Sequence, residues 1–144
     1  MIPPLRVFLD ANVLFSAVYR PPNTFERFWL VPGLDLLTSP YVIDEVSRHF
    51  RGAEDRARLW RLLYATHLVP NGDEIELPRD IRLVPKDVPI LQAAIAGKAD
   101  ILVTGDETHF LHLFGTSVQG VLIEKPSTFK ARYPEIFKVE PARP

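Results

Sequence analysis

Residues 101–110 read ILVTGDETHF, and this stretch contains the end of a predicted strand. Three apolar residues, Ile101–Val103, predict a buried strand, and Thr104 and Gly105 then lead to Asp106. Two interpretations fit a strand that ends in this way. Gly105 and Asp106 could form an ordinary turn in which the aspartate caps the next helix. Alternatively, the strand delivers a carboxylate to the edge of a sheet, and the residues outside this stretch have to distinguish between the two.

A second apolar run ends in the same way. Leu5–Leu9 predicts a strand that is followed directly by Asp10, and residues 34–37, 67–69 and 121–123 predict three further strands. The predicted helical segments are residues 11–19, 24–30, 40–50, 53–66, 88–97 and 127–133. Because strands and helices alternate, the sequence predicts a single α/β domain over residues 1–144 with a mainly parallel central sheet.

The composition is that of a globular protein without cysteine chemistry. Hydrophobic residues make up 47% of the 144 residues and charged residues 24%. The chain has no cysteine, so any metal must be held by carboxylates, histidines or carbonyl groups. Neither a signal peptide nor a membrane span is recognisable, and we expect a cytoplasmic protein without membrane contact. The formal net charge is −1, so contact with a polyanion has to be local or assisted by a metal ion.

Four carboxylates are predicted to meet at one edge of the sheet. Asp10 and Asp106 follow two strands of a parallel sheet, and the carboxyl ends of such strands form the edge at which α/β sheets bind ligands. Asp87 begins the helix that precedes the Asp106 strand, and Glu45 borders the apolar face of its helix. Asp87 alone could be a helix N-cap, and Glu45 alone could be a surface acid. Asp100 precedes its strand and is expected at the opposite edge.

A cluster of carboxylates needs a compensating charge. Two unit charges about 4 Å apart cost roughly 4 kcal/mol at an effective dielectric of 20. The sequence places no lysine or arginine beside Asp10 or Asp106, and only Lys86 beside Asp87. Carboxylate oxygens are ligands that suit Mg²⁺ and Mn²⁺, and such an ion can activate a water and shield a phosphodiester. The acids therefore predict a divalent-cation site with hydrolytic nuclease chemistry.

Four segments of the chain, taken in order, resemble the PIN-domain ribonucleases. They are LDANVLFSA (residues 9–17), SPYVIDEVSRHF (39–50), KDVPILQAAIAGKADILVTGD (86–106) and IEKPSTF (123–129). The resemblance covers the chain from Arg6 to about Tyr133, and it is nearest to stand-alone bacterial and archaeal PIN proteins that are often paired with an antitoxin. It implies a three-layer α/β/α sandwich and a metal-dependent ribonuclease that acts as the toxin of a toxin–antitoxin pair.

The resemblance also implies roles for individual residues. The metal site of the family is built from acids at four places, which correspond to Asp10, Glu45, Asp87 and Asp106. These four are the predicted catalytic residues and the predicted ligands of Mg²⁺ or Mn²⁺. Asn12 and Thr104 match polar positions that support the active-site carboxylates. Family members often carry a further acid near the last one, and here only Glu107 and His109 stand at that place.

The expected substrate is RNA, and the expected partners are an antitoxin protein and a second copy of the chain. Arginines in the segment RHFRGAEDRARLWR (residues 48–61) would steer phosphates towards the acids. Those predicted to bind substrate are Arg51, Arg56 and Arg58, for which a solvated helical face is the alternative. The aromatic residues at helical spacing between residues 25 and 29 are expected in the core or in a dimer interface.

Other protein classes fit the sequence less well. A haloacid-dehalogenase-type phosphatase also has an aspartate at the end of its first strand, but it needs an acid two residues later, where this chain has Asn12. A receiver domain needs an acidic pair before its first helix, and this pair is not evident in the sequence. The sequence also lacks the glycine-rich loop with which P-loop proteins bind phosphate. The alternative that stays open is a PIN-fold module that binds RNA or protein without cleaving it.

Overall fold

The central sheet of the protein has six strands. The computed structural model describes residues 3–19 and 24–134, and its strands are β1 (Leu5–Leu9), β2 (Leu34–Thr38), β3 (His67–Leu68), β4 (Ile101–Val103), β5 (Ser117–Val118) and β6 (Val121–Glu124). Their spatial order is β3-β2-β1-β4-β6-β5, and every neighbouring pair is parallel except β5 and β6. Leu9 of β1 lies opposite Val103 of β4. The two strands that lead to Asp10 and Asp106 are therefore neighbours in the middle of the sheet.

Short helices connect these strands in the described part of the chain. The α-helices are α1 (Ala11–Val18), α2 (Pro40–Ser47), α3 (Ala53–Tyr64), α4 (Val88–Ala96) and α5 (Pro126–Arg132), and 3₁₀ helices span Thr24–Trp29 and Leu111–Leu113. Among the described residues, no helix has both the length and the apolar character that crossing a membrane requires.

Both faces of the sheet are covered, which gives three layers. Phe8 of β1 points to one face, where it packs in a core with buried residues of α1, α2, α3 and α4. Val7 and Leu9 point to the other face, where Phe28 and Phe129 of α5 cover them. Because successive residues of β1 enter different cores, the strand reads as a nearly continuous apolar run. The structure confirms the predicted α/β/α sandwich with a mainly parallel sheet.

A separate set of hydrogen bonds and an ion pair lies at the amino edge of the sheet. Asp100 lies there, as predicted, and its Oδ2 accepts a hydrogen bond of 2.9 Å from the backbone N–H of Arg6. The Arg6 guanidinium pairs with Asp35 at 2.8 Å and donates to the Gly97 carbonyl at the end of α4. Asp100 is therefore a structural residue on the side of the sheet that faces away from the other four acids.

The beginning of α2 was predicted better than its end. The Ser39 hydroxyl accepts a hydrogen bond of 3.4 Å from the backbone N–H of Val42, which is the expected N-cap. The helix ends at Ser47 instead of continuing to Phe50. Arg56 of α3 donates to the backbone carbonyls of both residues, at 3.4 Å and 3.0 Å respectively, and so satisfies acceptors that a longer helix would have used itself.

The hairpin of β5 and β6 is missing from the sequence-based prediction, which contains only a strand at residues 121–123. Gln119 and Gly120 connect the two strands with φ values of +46° and +87°. Both residues thus have the positive φ that a type I′ turn in a two-residue hairpin loop requires. A Gln-Gly pair is a weaker hairpin signal than Asn-Gly, and β5 has only two residues, so the sequence offered no visible partner strand.

The aromatic residues that were expected in a core or a dimer interface belong to the core or pack against it: Phe28 is buried, and Phe25 and Trp29 are partly buried. Phe28 is buried and stacks on Phe129 with ring centroids 5.7 Å apart. The Trp29 indole donates a hydrogen bond of 2.9 Å to the Thr66 hydroxyl. These residues therefore give no support to self-association, which rests on the family resemblance alone.

The loop between β3 and α4 depends on close contact at Gly72. A Cβ atom at this position would lie 2.3 Å from the backbone oxygen of Gln92 in α4. We expect Gly72→Ala to lower the free energy of unfolding by about 1–3 kcal/mol, which is the usual cost of forcing extra atoms into a packed interior. Urea unfolding of the purified protein measures this change.

Gly52→Ala is the matched control, because a Cβ at Gly52 would have no heavy atom within 4 Å. Gly52 also has an ordinary φ of −75°. If both variants unfolded at the same urea concentration as the wild type, the loop would be free to move away from α4 and the packing argument would be wrong.

Candidate active site

Asp10 is held at the carboxyl edge of the sheet by three hydrogen bonds. The residue is 3% exposed and is the N-cap of α1. Its Oδ1 accepts from the Ala11 backbone N–H at 2.6 Å. Its Oδ2 accepts from the Thr104 hydroxyl at 2.7 Å and from the Asn12 side-chain amide at 3.3 Å. The two residues predicted to support a carboxylate therefore both contact Asp10.

The Thr-Gly corner after β4 is built around this carboxylate. The Gly105 backbone N–H donates to Asn12 Oδ1 at 2.7 Å, and a Cβ at residue 105 would lie 3.2 Å from that same oxygen. The Asp106 backbone N–H donates to the Thr104 hydroxyl oxygen at 3.2 Å. The corner thus turns the chain so that Asp106 and Asp10 line the same cavity, which favours the second interpretation of residues 101–110.

Asp87, Asp106 and His109 form the tightest group of possible metal ligands among the described residues. One ligand atom from each of the three lies within 4.8 Å of the other two. His109 Nδ1 is 2.8 Å from Asp87 Oδ2 and 3.0 Å from Asp106 Oδ2. Asp106 Oδ1 accepts from the backbone N–H groups of Thr108 and His109, both at 3.0 Å, and this turn brings the imidazole back towards the acids.

All four predicted acids line one cavity of about 260 Å³. The described residues that line it are Asp10, Ala11, Asn12, Phe15, Glu45, His49, Lys86, Asp87, Ile90 and Asp106. Four carboxylates thus face one lysine and one histidine at the mouth. Asp44, the neighbour of Glu45, points to solvent and pairs with Arg48 at 2.9 Å. The structure therefore brings the four predicted acids into one cavity, while Asp44 lies outside its lining.

Burial and mutual repulsion raise the pKa of two of these acids. Burial raises the pKa of Asp10 from 3.8 to about 6, with smaller contributions from the charges of Glu45 and Asp87, while the hydrogen bonds from Thr104 and Ala11 oppose the shift. Burial also raises the pKa of Asp87; the nearby His109 opposes this effect and the charge of Asp106 adds to it. The carboxylates are therefore held close together at a cost in free energy, as expected for a site that binds a cation.

The predicted substrate arginines lie outside the cavity lining. Arg58 donates to the Val18 carbonyl at 2.7 Å and contacts Asp55 at 3.5 Å, so part of its hydrogen-bonding capacity serves the fold, as does that of Arg56. Arg51 is exposed. Glu107 also lies outside the lining, and its carboxylate is 3.7 Å from Lys125. Of the two residues expected near Asp106, neither lines the cavity, but His109 contacts both Asp87 and Asp106.

Sequence reasoning gave no role in the site to the basic groups at the mouth of the cavity. Lys86 and His49 line it, and the Tyr41 hydroxyl donates to the Lys86 carbonyl at 2.6 Å, which links α2 to the start of α4. The only available sequence signal was position, because Lys86 precedes Asp87 and His49 follows Glu45 by one helical turn.

Comparisons with known proteins address the family and the fold of the chain. The family model for the PIN domain matches residues 6–108, which is most of the chain. The chain belongs to the PIN domain family. No curated protein matches the sequence. A similar fold is found in the crystal structure of VapBC2 from Rickettsia felis bound to a DNA fragment from their promoter, with a TM-score of 0.61 and 18% sequence identity over 84% of this chain and 98% of that chain.

The raised pKa of Asp10 predicts how the stability of this PIN domain depends on pH when no metal is present. The carboxyl binds a proton more tightly in the folded state, with a pKa of about 6, than in the unfolded state, with a pKa near 3.8. Its contribution to the free energy of unfolding should therefore fall as the pH rises from about 4 to about 6, by about 3 kcal/mol at roughly 1.4 kcal/mol per pKa unit.

Asp10→Asn removes this contribution, so the variant should lose stability less steeply than the wild type across the same pH window. Asp87 retains part of the slope, because its pKa is also raised. Urea unfolding in EDTA at several pH values between 4 and 7 measures both curves. Parallel curves for the wild type and the variant would show that Asp10 has an ordinary pKa.

Proposed function

We propose that the protein is a metal-dependent ribonuclease that hydrolyses phosphodiester bonds of RNA. The observation that carries this proposal is the convergence of Asp10, Glu45, Asp87 and Asp106 on one cavity at the carboxyl edge of a PIN-domain sheet. Binding without cleavage would not need four acids at one place, since their repulsion destabilises the fold and weakens contact with a polyanion.

The donor set of the cavity fits Mg²⁺ or Mn²⁺. Asp87 Oδ2 is buried and has no hydrogen-bond partner among the described residues, although buried polar atoms are normally paired. Asp10, Asp87 and Asp106 would hold the ion, directly or through water, and Glu45 would hold a second ion or the attacking water. When bound, the ion supplies a water of lowered pKa and neutralises charge on the phosphoryl oxygens.

The protein residues themselves supply orientation and charge. Thr104 and Asn12 hold the Asp10 carboxylate in one orientation, so that it does not have to reorganise during the reaction. Glu45, which also lines the cavity, can accept a hydrogen bond from the attacking water and so fix its direction. Lys86 and His49 at the mouth provide cationic or hydrogen-bonding groups for the phosphates on either side of the cleaved bond.

We also propose that the protein is the toxin of a toxin–antitoxin pair and acts in the cytoplasm. Its support is the shared fold with the VapBC2 complex, which contains a partner protein. Co-purification with the product of a neighbouring reading frame tests this partner. Self-association is a further proposal, and light scattering at micromolar concentration would contradict it by showing only the 16.4 kDa species.

Cleavage of labelled RNA tests the proposed activity. We expect wild-type protein with Mg²⁺ or Mn²⁺ to cut the RNA and EDTA to stop it. Asp106→Asn should lower the rate at least about a hundredfold, the effect of losing one electrostatic contact to the transition state. Glu107→Gln is the matched control, because Glu107 is the next residue but is exposed and outside the cavity lining, and it should leave the rate unchanged.

RNA that is bound but not cut by the wild-type protein under any divalent metal would instead support the non-cleaving PIN module. Equal rates for Asp106→Asn and Glu107→Gln would remove Asp106 from the catalytic residues.

The salt dependence of RNA binding locates the path of the substrate. Lys86→Gln should reduce the slope of log K against log[salt] by about 0.7, the value for one phosphate contact to a single strand. Lys98→Gln is the control, because Lys98 lies at the amino edge, where its carbonyl accepts from Arg6. Arg51→Gln tests the arginines predicted from sequence. If Arg51→Gln changes the slope and Lys86→Gln does not, the RNA runs past α3 and not over the cavity mouth.

A further inference from the structure

His109 stands where two elements of the fold meet. Asp87 comes from the start of α4 and Asp106 from the corner after β4, and His109 Nδ1 lies 2.8 Å and 3.0 Å from one oxygen of each. His109 belongs to the same turn as Asp106, whose Oδ1 accepts from the His109 backbone N–H. The imidazole therefore lies beside two carboxylates that line the cavity, those of Asp87 and Asp106.

The imidazole nitrogen and the Asp87 oxygen lie within ion-pair distance but do not have the geometry of a regular hydrogen bond. Both atoms are buried, and neither makes a regular hydrogen bond with any other described residue. The Asp87 side chain is only 8% exposed. Two buried polar atoms that lie 2.8 Å apart without a regular hydrogen bond point to a ligand that both can bind.

The two distances from His109 Nδ1 to the carboxylate oxygens fit neighbouring ligands of an octahedral cation. Neighbouring ligands of an octahedral ion with bonds of about 2.1 Å are about 3.0 Å apart. The two distances from Nδ1 to the carboxylate oxygens, 2.8 Å and 3.0 Å, match this edge. A single ion could therefore contact one nitrogen and two oxygen atoms after small side-chain movements.

We propose that His109 is a nitrogen ligand of the divalent cation and that the site consequently prefers a first-row transition ion such as Mn²⁺ to Mg²⁺. The inference rests on the proposed metal-dependent function and adds a ligand that the acids alone do not provide. Mg²⁺ favours oxygen donors and keeps its waters, whereas imidazole is a good ligand for transition ions, whose affinity rises along the first row. The mixed set of Asp87, Asp106 and His109 therefore separates the two kinds of ion.

Pulsed EPR of Mn²⁺ bound to the full chain tests this proposal directly, because a coordinated imidazole produces a ¹⁴N coupling that carboxylates do not. We expect this coupling in the wild type and its loss in His109→Gln. Titration calorimetry should show Mn²⁺ affinity falling at least about tenfold in His109→Gln, the lower end of what even an outer partner of a ligand contributes. The affinity for Mg²⁺ should change much less.

The chain contains only four histidines, so the other three serve as controls. His112 contacts the Arg82 carbonyl at 2.8 Å, His67 pairs with Asp35 at the amino edge, and His49 lines the cavity mouth. The coupling should persist in His112→Gln, His67→Gln and His49→Gln. These three variants assign the signal by elimination even if His109→Gln does not fold.

The outcomes separate this inference from the proposed function. If the wild type binds neither Mn²⁺ nor Mg²⁺, the metal-dependent function fails and the role of His109 fails with it. If Mn²⁺ binds without a nitrogen coupling, or if the coupling is lost only in His49→Gln, the metal site stands and His109 is not a ligand.

Discussion

The hydrogen bond between the Thr104 hydroxyl and the buried Asp10 carboxylate, 2.7 Å long, is the contact on which the rest of the site depends. It joins the ends of β1 and β4, the two central strands. The Thr104 oxygen also accepts from the Asn12 amide and from the Asp106 backbone N–H. A hydroxyl has one donor and two acceptor positions, and all three are used here. The positions of Asp10 and Asp106 are thereby fixed relative to each other.

The clustered carboxylates repel one another, so other interactions have to hold the site together. Burial alone would disfavour the charged form of Asp10, and the charges of Glu45 and Asp87 add to that effect. The two hydrophobic cores offset this cost, because they fix the strands independently of the acids. Val7 and Leu9 are fully buried on one face of the sheet, and Phe8 is fully buried on the other. A stable sandwich can therefore carry a destabilised edge, which is a common relation between stability and function.

The sequence predicted those parts of the site that follow from periodicity. Asp10 and Asp106 were found because each follows an apolar strand, and Asp87 because it begins a helix after a loop. The sequence did not separate His109 from Glu107, because the choice depends on a turn in which Asp106 Oδ1 binds two backbone N–H groups. That turn directs His109 to Asp87, while Glu107 points outwards towards Lys125.

The arginines show a different limit. Sequence gives the charge of a long side chain but not the place of its guanidinium, which can lie several ångströms from the backbone. Arg58 reaches the last turn of α1 and Arg56 the end of α2, where free carbonyls accept their hydrogen bonds. The sequence shows Lys86 only as the neighbour of Asp87, whereas in the structure Lys86 lines the cavity. The lysine next to a site acid in sequence therefore lines the cavity, whereas the arginines of the basic segment at residues 48–61 that were predicted to bind substrate do not.

The charge of the cavity also couples the binding of the cation to the binding of RNA under the proposed function. An RNA phosphate that approaches four carboxylates and one lysine is repelled, and the net charge of −1 offers no long-range attraction to offset this. A divalent cation cancels two of these negative charges, so RNA should bind more tightly once the cation is bound. Because binding free energies are reciprocal, bound RNA must then increase the affinity for the cation by the same factor. The acids therefore make metal and RNA binding cooperative without a conformational change, since both ligands act through the charge of one cavity.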